Sequence, residues 1–181
     1  KKTTIHLLFT AGLAVMLGAC TNSGINSDTG DQNSGTSPAA MARILEESLS
    51  QDILDHWYPR NIASVHGGYI SGYERDWSLS RRQEKSLVQQ ARHTWATGFV
   101  LEHYPEKKEY LDYSRQGKEF LKDQMWDEEF GGFHTFTRAD GSPMLERGGG
   151  KLVYGQSFAL YGLAQYYLVS GDPEALELAK K

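Results

Sequence analysis

The chain has 181 residues, with 23 acidic against 19 basic side chains and a net charge of −4. An acidic chain without a basic cluster argues against a nucleic-acid partner. Cys20 is the only cysteine, which leaves no disulfide framework and no further thiol for nucleophilic chemistry.

Two lysines open the chain, and an apolar run rich in Leu, Ala and Val follows to Ala19. That length suits a cleaved leader and is short for a membrane span. The run closes with Leu17-Gly18-Ala19-Cys20, which resembles the lipobox of bacterial lipoproteins. The resemblance implies a signal peptide over residues 1–19 and a lipid carried on Cys20. It also implies attachment to a membrane of the bacterial cell envelope, with Thr21 leaning toward the outer membrane on its periplasmic side. Loss of Lys1 and Lys2 would take the net charge to about −6. Residues 20–40 are mostly Ser, Thr, Gly, Asn and Asp; they bury too little surface to offset ordering entropy and read as a flexible tether.

A folded region is expected over 41–181. Apolar residues at Met41, Ile44, Leu45, Leu49 and Ile53 have helical spacing, and Pro59 ends that helix. Residues 61–80 carry Gly67, Gly68 and Gly72 without a helical period and read as a long loop or hairpin. Helices are expected over 81–103 and 106–124, separated by Pro105. A second glycine-rich loop covers 126–150, with a turn at Asp140-Gly141-Ser142-Pro143. A fourth helix is expected over 152–169, closed by Gly171. Asp172-Pro173 then reads as an N-cap and first helical position for a fifth. Long loops alternate with short ones, so antiparallel helix pairs would bring the long loops to one end, where functional loops tend to lie.

The same pattern occurs twice, about 66 residues apart. His66-Gly67-Gly68-Tyr69 precedes Lys85-x4-Gln90-Ala91-Arg92-x2-Trp95. Phe130-Gly131-Gly132-Phe133 precedes Lys151-x4-Gln156-Ser157-Phe158-x2-Tyr161. Arg92 breaks the symmetry, because the second copy has Phe158 there. Helical spacing puts Lys85, Arg92, Trp95 and Phe99 on one face. A guanidinium beside a tryptophan offers a planar donor fork and a stacking surface suited to a polyol. The competing role for Arg92 is a salt bridge to Asp76 or Asp127. Tyr154, Phe158 and Tyr161 form an aromatic stripe, a core pattern in which Tyr154 is the exception, since it lies in the first turn near the long-loop end. His66 and His134 sit in the two long loops and are candidates for substrate contact. No His pair or carboxylate spacing makes a metal triad, so neither metal nor cofactor is expected.

Together, Gly67-Gly68-Tyr69, Lys85-x4-Gln90-x-Arg92-x2-Trp95, Gly131-Gly132-Phe133 with Asp140-Gly141, and Lys151-x2-Tyr154-x-Gln156-Ser157-Phe158-Ala159 resemble the N-acylglucosamine 2-epimerase superfamily. The resemblance covers about residues 42–181. It implies an all-α (α/α)6 barrel of which the chain would hold the first five helices. It implies epimerisation at C2, or aldose–ketose isomerisation, of a mono- or disaccharide through an enediolate. The family's catalytic histidines come from later helices and have no counterpart here, so this part alone is expected to be inactive. Arg92 matches the arginine that contacts the sugar near the reacting carbonyl, and Tyr154 matches a pocket tyrosine. Two other readings stand beside it: an (α/α)6-barrel glycoside hydrolase or lyase, which needs a flanking carboxylate pair, and a non-catalytic saccharide-binding lipoprotein.

Overall fold

The computed structural model describes residues 36–147 and 150–181. The expected leader, Cys20 and most of the expected tether lie outside them. The chain divides into the units Lys1–Pro38 and Ala39–Lys181, and the second is built from five helical rods.

The first rod runs without a break through α1 (Pro38–Glu47), a wider π-helical segment π1 (Ser48–Leu54) and a closing turn α2 (Asp55–Trp57). It starts three residues ahead of Met41 with a proline, whose fixed φ suits a first helical position. Tyr58, forced out of the helical region by Pro59, is extended and ends it. Only Leu54 of this rod is buried, and Met41, Ile44, Leu45, Leu49 and Ile53 are 38–63% exposed. The apolar stripe read from the sequence therefore faces away from the other described residues.

The second rod, α3 (Leu87–His103), begins six residues later than its periodicity suggests. Lys85 and Ser86 form a short strand β1 (Lys85–Ser86), antiparallel to β2 (Phe136–Thr137), with Lys85 opposite Thr137. The Ser86 hydroxyl then caps α3, accepting from the Gln89 N–H at 3.3 Å. Lys85 consequently does not share the helical face of Arg92, Trp95 and Phe99. It is buried in the strand instead. The third rod is α4 (Glu109–Phe120) widening into π2 (Leu121–Met125). The fourth, α5 (Val153–Ser170), stops at Gly171, which takes φ 72°. Asp172 caps the fifth, α6 (Pro173–Lys180), accepting from Glu174 N–H at 2.9 Å.

Helices α3 and α5 lie side by side, with α4 and α6 behind them. Leu87 and Ala91 of α3 meet Ala159 and Leu163 of α5, Phe120, Leu121 and Met125 of the third rod, and Ala175 and Leu178 of α6 in one buried cluster. The α3–α5 contact is close enough that a Cβ added to Gly162 would lie 2.6 Å from the Ala91 carbonyl oxygen. A second cluster, Leu54, Tyr58, Tyr69, Val100 and Tyr110, joins the first rod to α3 and α4.

The repeat is matched bond for bond in the long loops. In the first, Gly67 N–H donates to Ala63 O at 2.8 Å and Ala63 N–H to Gly68 O at 3.0 Å; in the second, Gly131 to Asp127 and Asp127 to Gly132, both at 2.8 Å. Gln90 accepts from Tyr69 N–H at 2.8 Å and donates to Tyr69 O at 3.0 Å. Gln156 does the same for Phe133, at 2.7 and 2.8 Å. Lys85 donates to Gly67 O, and Lys151 to Gly131 O. Hairpins follow in both loops, with Asp76 accepting from Ser78 and Asp140 accepting from Ser142 through backbone and hydroxyl alike. Each long loop is thus pinned by a glutamine in the first turns of the following helix and by a lysine two residues ahead of that helix.

Gln90→Ala would leave the buried N–H and C=O of Tyr69 without partners. Urea denaturation is expected to show a loss of roughly 2–4 kcal/mol. Gln156→Ala should lose less, because its pair is only part-buried.

Candidate active site

Helix α3 buries Leu87, Gln90, Ala91, Thr94, Thr97, Gly98 and Val100, and leaves Val88, Arg92, Trp95 and Phe99 on the opposite side. Arg92 is exposed and, among the described residues, has no carboxylate partner. Asp76 is engaged by Ser78, and Asp127 by Lys151 and the N–H groups of Glu129 and Phe130. The salt bridge weighed for Arg92 is therefore absent from both positions. Arg92 lies in an open surface depression of about 420 Å³ along the exposed side of α3, with Ser86, Val88, Gln89, His93 and Ala96.

His93 forms the wall beside it. Its Nδ1 shares a 2.8 Å hydrogen bond with the Tyr58 hydroxyl, and the Asn61 amide nitrogen lies 3.3 Å away. The ring is flanked by Trp57, Tyr58 and Tyr69, the last at 5.0 Å between centroids. Burial, aided by the charge of Arg92, lowers the imidazole pKa to about 4, so it is neutral at neutral pH. Periodicity had no means of selecting this histidine, since its partners lie more than thirty residues away. The repeat carried the signal: Arg92-His93 stands where the second copy has Phe158-Ala159.

Trp95 stacks on Phe99 at 4.7 Å and on Tyr161 of α5 at 4.9 Å. Phe158 meets both Tyr161 and Tyr154, and Tyr154 is 65% exposed. The charge of Arg92 also reaches the Tyr161 hydroxyl. Arg92, Trp95 and Tyr154 therefore belong to one aromatic face spanning α3 and α5. Of the aromatic stripe of α5, Tyr154 and Tyr161 are exposed on this face, while Phe158 also packs against the buried core cluster.

The two loop histidines lie elsewhere. His66 lines a groove of about 620 Å³ with Gly67, Tyr113, Gln116 and Phe120, on the α4 side. His134 lines a cavity of about 390 Å³ with Asp127, Thr135, Phe136 and Lys151. Phe133 is buried, and in an extended segment the next side chain points the other way, which carries His134 out of the core. Neither histidine lines the Arg92 depression.

Residues 67–181 match the family model described as N-acylglucosamine 2-epimerase (GlcNAc 2-epimerase). The chain belongs to the N-acylglucosamine 2-epimerase family. It is 30% identical to the cellobiose 2-epimerase of Bacteroides fragilis over 139 residues, which are 77% of this chain and 34% of that protein. It is 32% identical to the cellobiose 2-epimerase of Dictyoglomus turgidum over 135 residues, 74% of this chain and 33% of that one. The solved structure of cellobiose 2-epimerase from Bacillus thermoamylovorans B4167 superposes with a TM-score of 0.70 at 26% identity, over 78% of this chain and 35% of that chain.

The chain spans about a third of the length of the curated relatives it matches. Its five helical rods are those of the (α/α)-barrel-type epimerase and isomerase fold, as the sequence motifs implied. The family is one of carbohydrate epimerases and isomerases. Within this fold the Arg92 depression opens at the start of α3, beside the first long loop, because Gln89 donates to the carbonyls of Ile70 and Ser71.

The buried imidazole makes stability depend on pH. With a folded pKa near 4 against an ordinary 6.5, the unfolded chain takes up the proton first as pH falls. The contribution of neutral His93 is therefore complete above 6.5 and is lost on acidification toward 4. Melting curves at pH 7 and pH 5 should show a smaller difference in His93→Gln than in the parent protein. An equal difference would mean that folding does not lower the pKa of His93.

Proposed function

We propose that the chain forms the N-terminal part of a carbohydrate 2-epimerase or aldose–ketose isomerase, with Arg92 as the group that stabilises charge on the substrate oxygen. The observation that carries this reading is the guanidinium of Arg92, unpaired among the described residues and exposed in a depression beside aromatic rings. Removing the proton from the carbon next to a carbonyl puts negative charge on oxygen. A fixed cationic donor aimed at that oxygen lowers the barrier by more than it stabilises the neutral sugar. A base with a pKa near neutrality is also needed. His93 is bound to Tyr58 and shifted well below that range, which suits it to shaping the wall beside Arg92. The base is the histidine that the resemblance assigns to the family's later helices.

Tyr154 offers an exposed ring for the C–H side of a sugar next to the Trp95–Tyr161 stack, and a mono- or disaccharide fits that surface chemically. The names of the relatives favour a disaccharide of the cellobiose type. A hydrolase reading draws little support, since Asp76 and Asp127 are both committed to contacts within their loops. The leader and Cys20 would hold the enzyme at the cell envelope through a lipid, with the residues between Cys20 and α1 as its tether.

The test is Arg92→Ala in the full-length protein, followed by NMR in deuterium oxide with cellobiose, mannose and N-acetylglucosamine. The parent protein should exchange the C2 proton of its substrate. The variant should lose roughly a hundred- to a thousandfold in turnover while its melting point stays within a few degrees. Turnover that survives while the melting point collapses would make Arg92 a structural residue.

A further inference from the structure

The two loop hairpins share their hydrogen bonds but not their charges. Glu74 N–H donates to Ser78 O and Arg138 N–H to Ser142 O, both at 2.8 Å; Trp77 N–H donates to Glu74 O and Gly141 N–H to Arg138 O, both at 3.0 Å. The second hairpin closes its charges on itself. Arg138 pairs with Glu146 at 2.6 Å and donates to Pro143 O at 3.0 Å. In the first hairpin the matching positions, Glu74 and Arg82, carry the opposite signs and form no ion pair among the described residues. Arg75, Arg81 and Arg82 are exposed, as is Arg60 ahead of the loop. Among the described residues none of these four has a carboxylate partner. Residues 60–83 set four arginines against Glu74 and Asp76, a charge of +2, whereas the rest of the chain sums to −6. Asp76 is engaged by Ser78.

Two apolar side chains stand among these arginines. Trp77 takes the left-handed turn position at φ 64°, where the second copy has Gly141 at φ 92°; it is the one non-glycine residue with positive φ among the described residues. A bulky side chain in that region is a genuine outlier. The strain does not serve burial, since Trp77 stays 37% exposed, and Leu79 is 58% exposed. The indole is nonetheless fixed in place. Trp57 meets it edge-on at 5.5 Å, Tyr73 lies at 5.6 Å, and the Arg60 guanidinium sits 4.8 Å from the ring centroid. None of the hollows described above is lined by Trp77, Leu79, Arg75, Arg81 or Arg82, and a small ligand takes a concave seat. An exposed indole and leucine among unpaired guanidinium groups have instead the chemistry of a planar anionic interface. The apolar side chains suit the boundary between headgroups and acyl chains, and the arginines suit its phosphates.

We propose that the first hairpin is a membrane-docking surface, in which Trp77 and Leu79 enter the headgroup region of an anionic phospholipid bilayer and Arg60, Arg75, Arg81 and Arg82 meet its phosphates. The proposal extends the envelope reading above. Residues 21–37 span at most about 60 Å when fully extended, so a lipid on Cys20 would keep the hairpin at high effective concentration over the bilayer. The anchor would supply attachment, and the hairpin would supply orientation.

The test uses the full-length mature protein, with residues 1–19 removed and Cys20→Ser, so that no acyl chain contributes. At low ionic strength it should cosediment with vesicles of phosphatidylglycerol and phosphatidylethanolamine and stay in solution with vesicles of phosphatidylcholine. Replacing Arg75, Arg81 and Arg82 together by Ser should weaken binding roughly tenfold or more. Trp77→Gly keeps the turn, since glycine accepts the left-handed conformation, and should weaken binding roughly three- to tenfold. Trp77→Tyr, which restores a ring suited to the interface, should recover most of it. Replacing the exposed Lys108, Lys180 and Lys181 together by Ser removes as much charge elsewhere and should leave binding as in the parent protein. A parent protein that does not bind the anionic vesicles overturns the proposal. An equal loss in the two triple variants also does so, because net charge alone would then explain binding. Unchanged binding of Trp77→Gly overturns it too, and retention of dextran sulfate by that variant would assign the arginines to an acidic polysaccharide. Failure of Trp77→Tyr to recover binding, with a melting point lowered as in Trp77→Gly, makes Trp77 a clasp between the hairpin and the first rod and ends the proposal. Uptake of labelled palmitate at Cys20 in the unaltered protein tests the anchor by itself, so failure of one reading is distinguished from failure of the other.

Discussion

A side-chain amide standing in for a strand is the interaction on which this fold depends. Gln90 and Gln156 each offer one donor and one acceptor to a single loop residue, as a neighbouring β-strand would. Without them the long loops would carry buried peptide groups with no partner, which proteins rarely tolerate. With them, loops of twenty or so residues are fixed against the first turns of α3 and α5 while needing little sheet of their own. The two-residue strands β1 and β2 then tie one loop to the other. The consequence for the site is direct: Arg92 lies two residues beyond Gln90 on α3, so the clamp that holds the loop also fixes its distance from the guanidinium.

The lysines that accompany the glutamines show how much variation this clamp absorbs. Lys151 donates to Gly131 O at 2.5 Å and pairs with Asp127, whose carboxyl is held at about 2 chiefly by that hydrogen bond. In the first copy the residue equivalent to Asp127 is Ala63. Lys85 is buried without a carboxylate, donates to Gly67 O, and sits 4.4 Å from the centre of the Phe120 ring. Burial pulls its pKa down to about 8. A cation–π contact and a carbonyl replace an ion pair, and the loop keeps the same backbone bonds.

Much of this architecture was legible in the sequence because it is written in local terms. Gly171 and Asp172-Pro173 mark a helix end and a helix start by backbone chemistry alone, and the structure places both there. The repeat of Gly-Gly and Gln at matched spacing located both loop–helix units. Local periodicity also misled. Leu87, Val88 and Ala91 suggest a helix that could reach back to Arg81, but pairing of Lys85 with Thr137 makes the start a strand, and a contact over fifty residues leaves no trace in spacing. The site was legible only in part for the same reason. Arg92 was visible as a broken repeat, whereas the partners that keep His93 neutral come from the first rod and its following loop. The cavities that receive His66 and His134 depend on where α4 and the second hairpin fall.

What the comparison of the two copies adds is a way to separate scaffold from site without any second sequence. Positions that make the same bond in both copies, Gln90 and Gln156 or Asp76 and Asp140, serve the fold, because the same geometry requires them twice. Positions where one copy departs are released from that duty. Two departures stand side by side, Arg92 for Phe158 and His93 for Ala159, whereas Ala63 for Asp127 changes only how the clamping lysine is held. His93 costs something that Ala159 does not, a desolvated imidazole, while Arg92 is exposed and stays solvated. A buried imidazole kept neutral beside an exposed guanidinium is thus a feature the repeat does not require, and it singles out the start of α3 as the place where the first copy departs from scaffold duty.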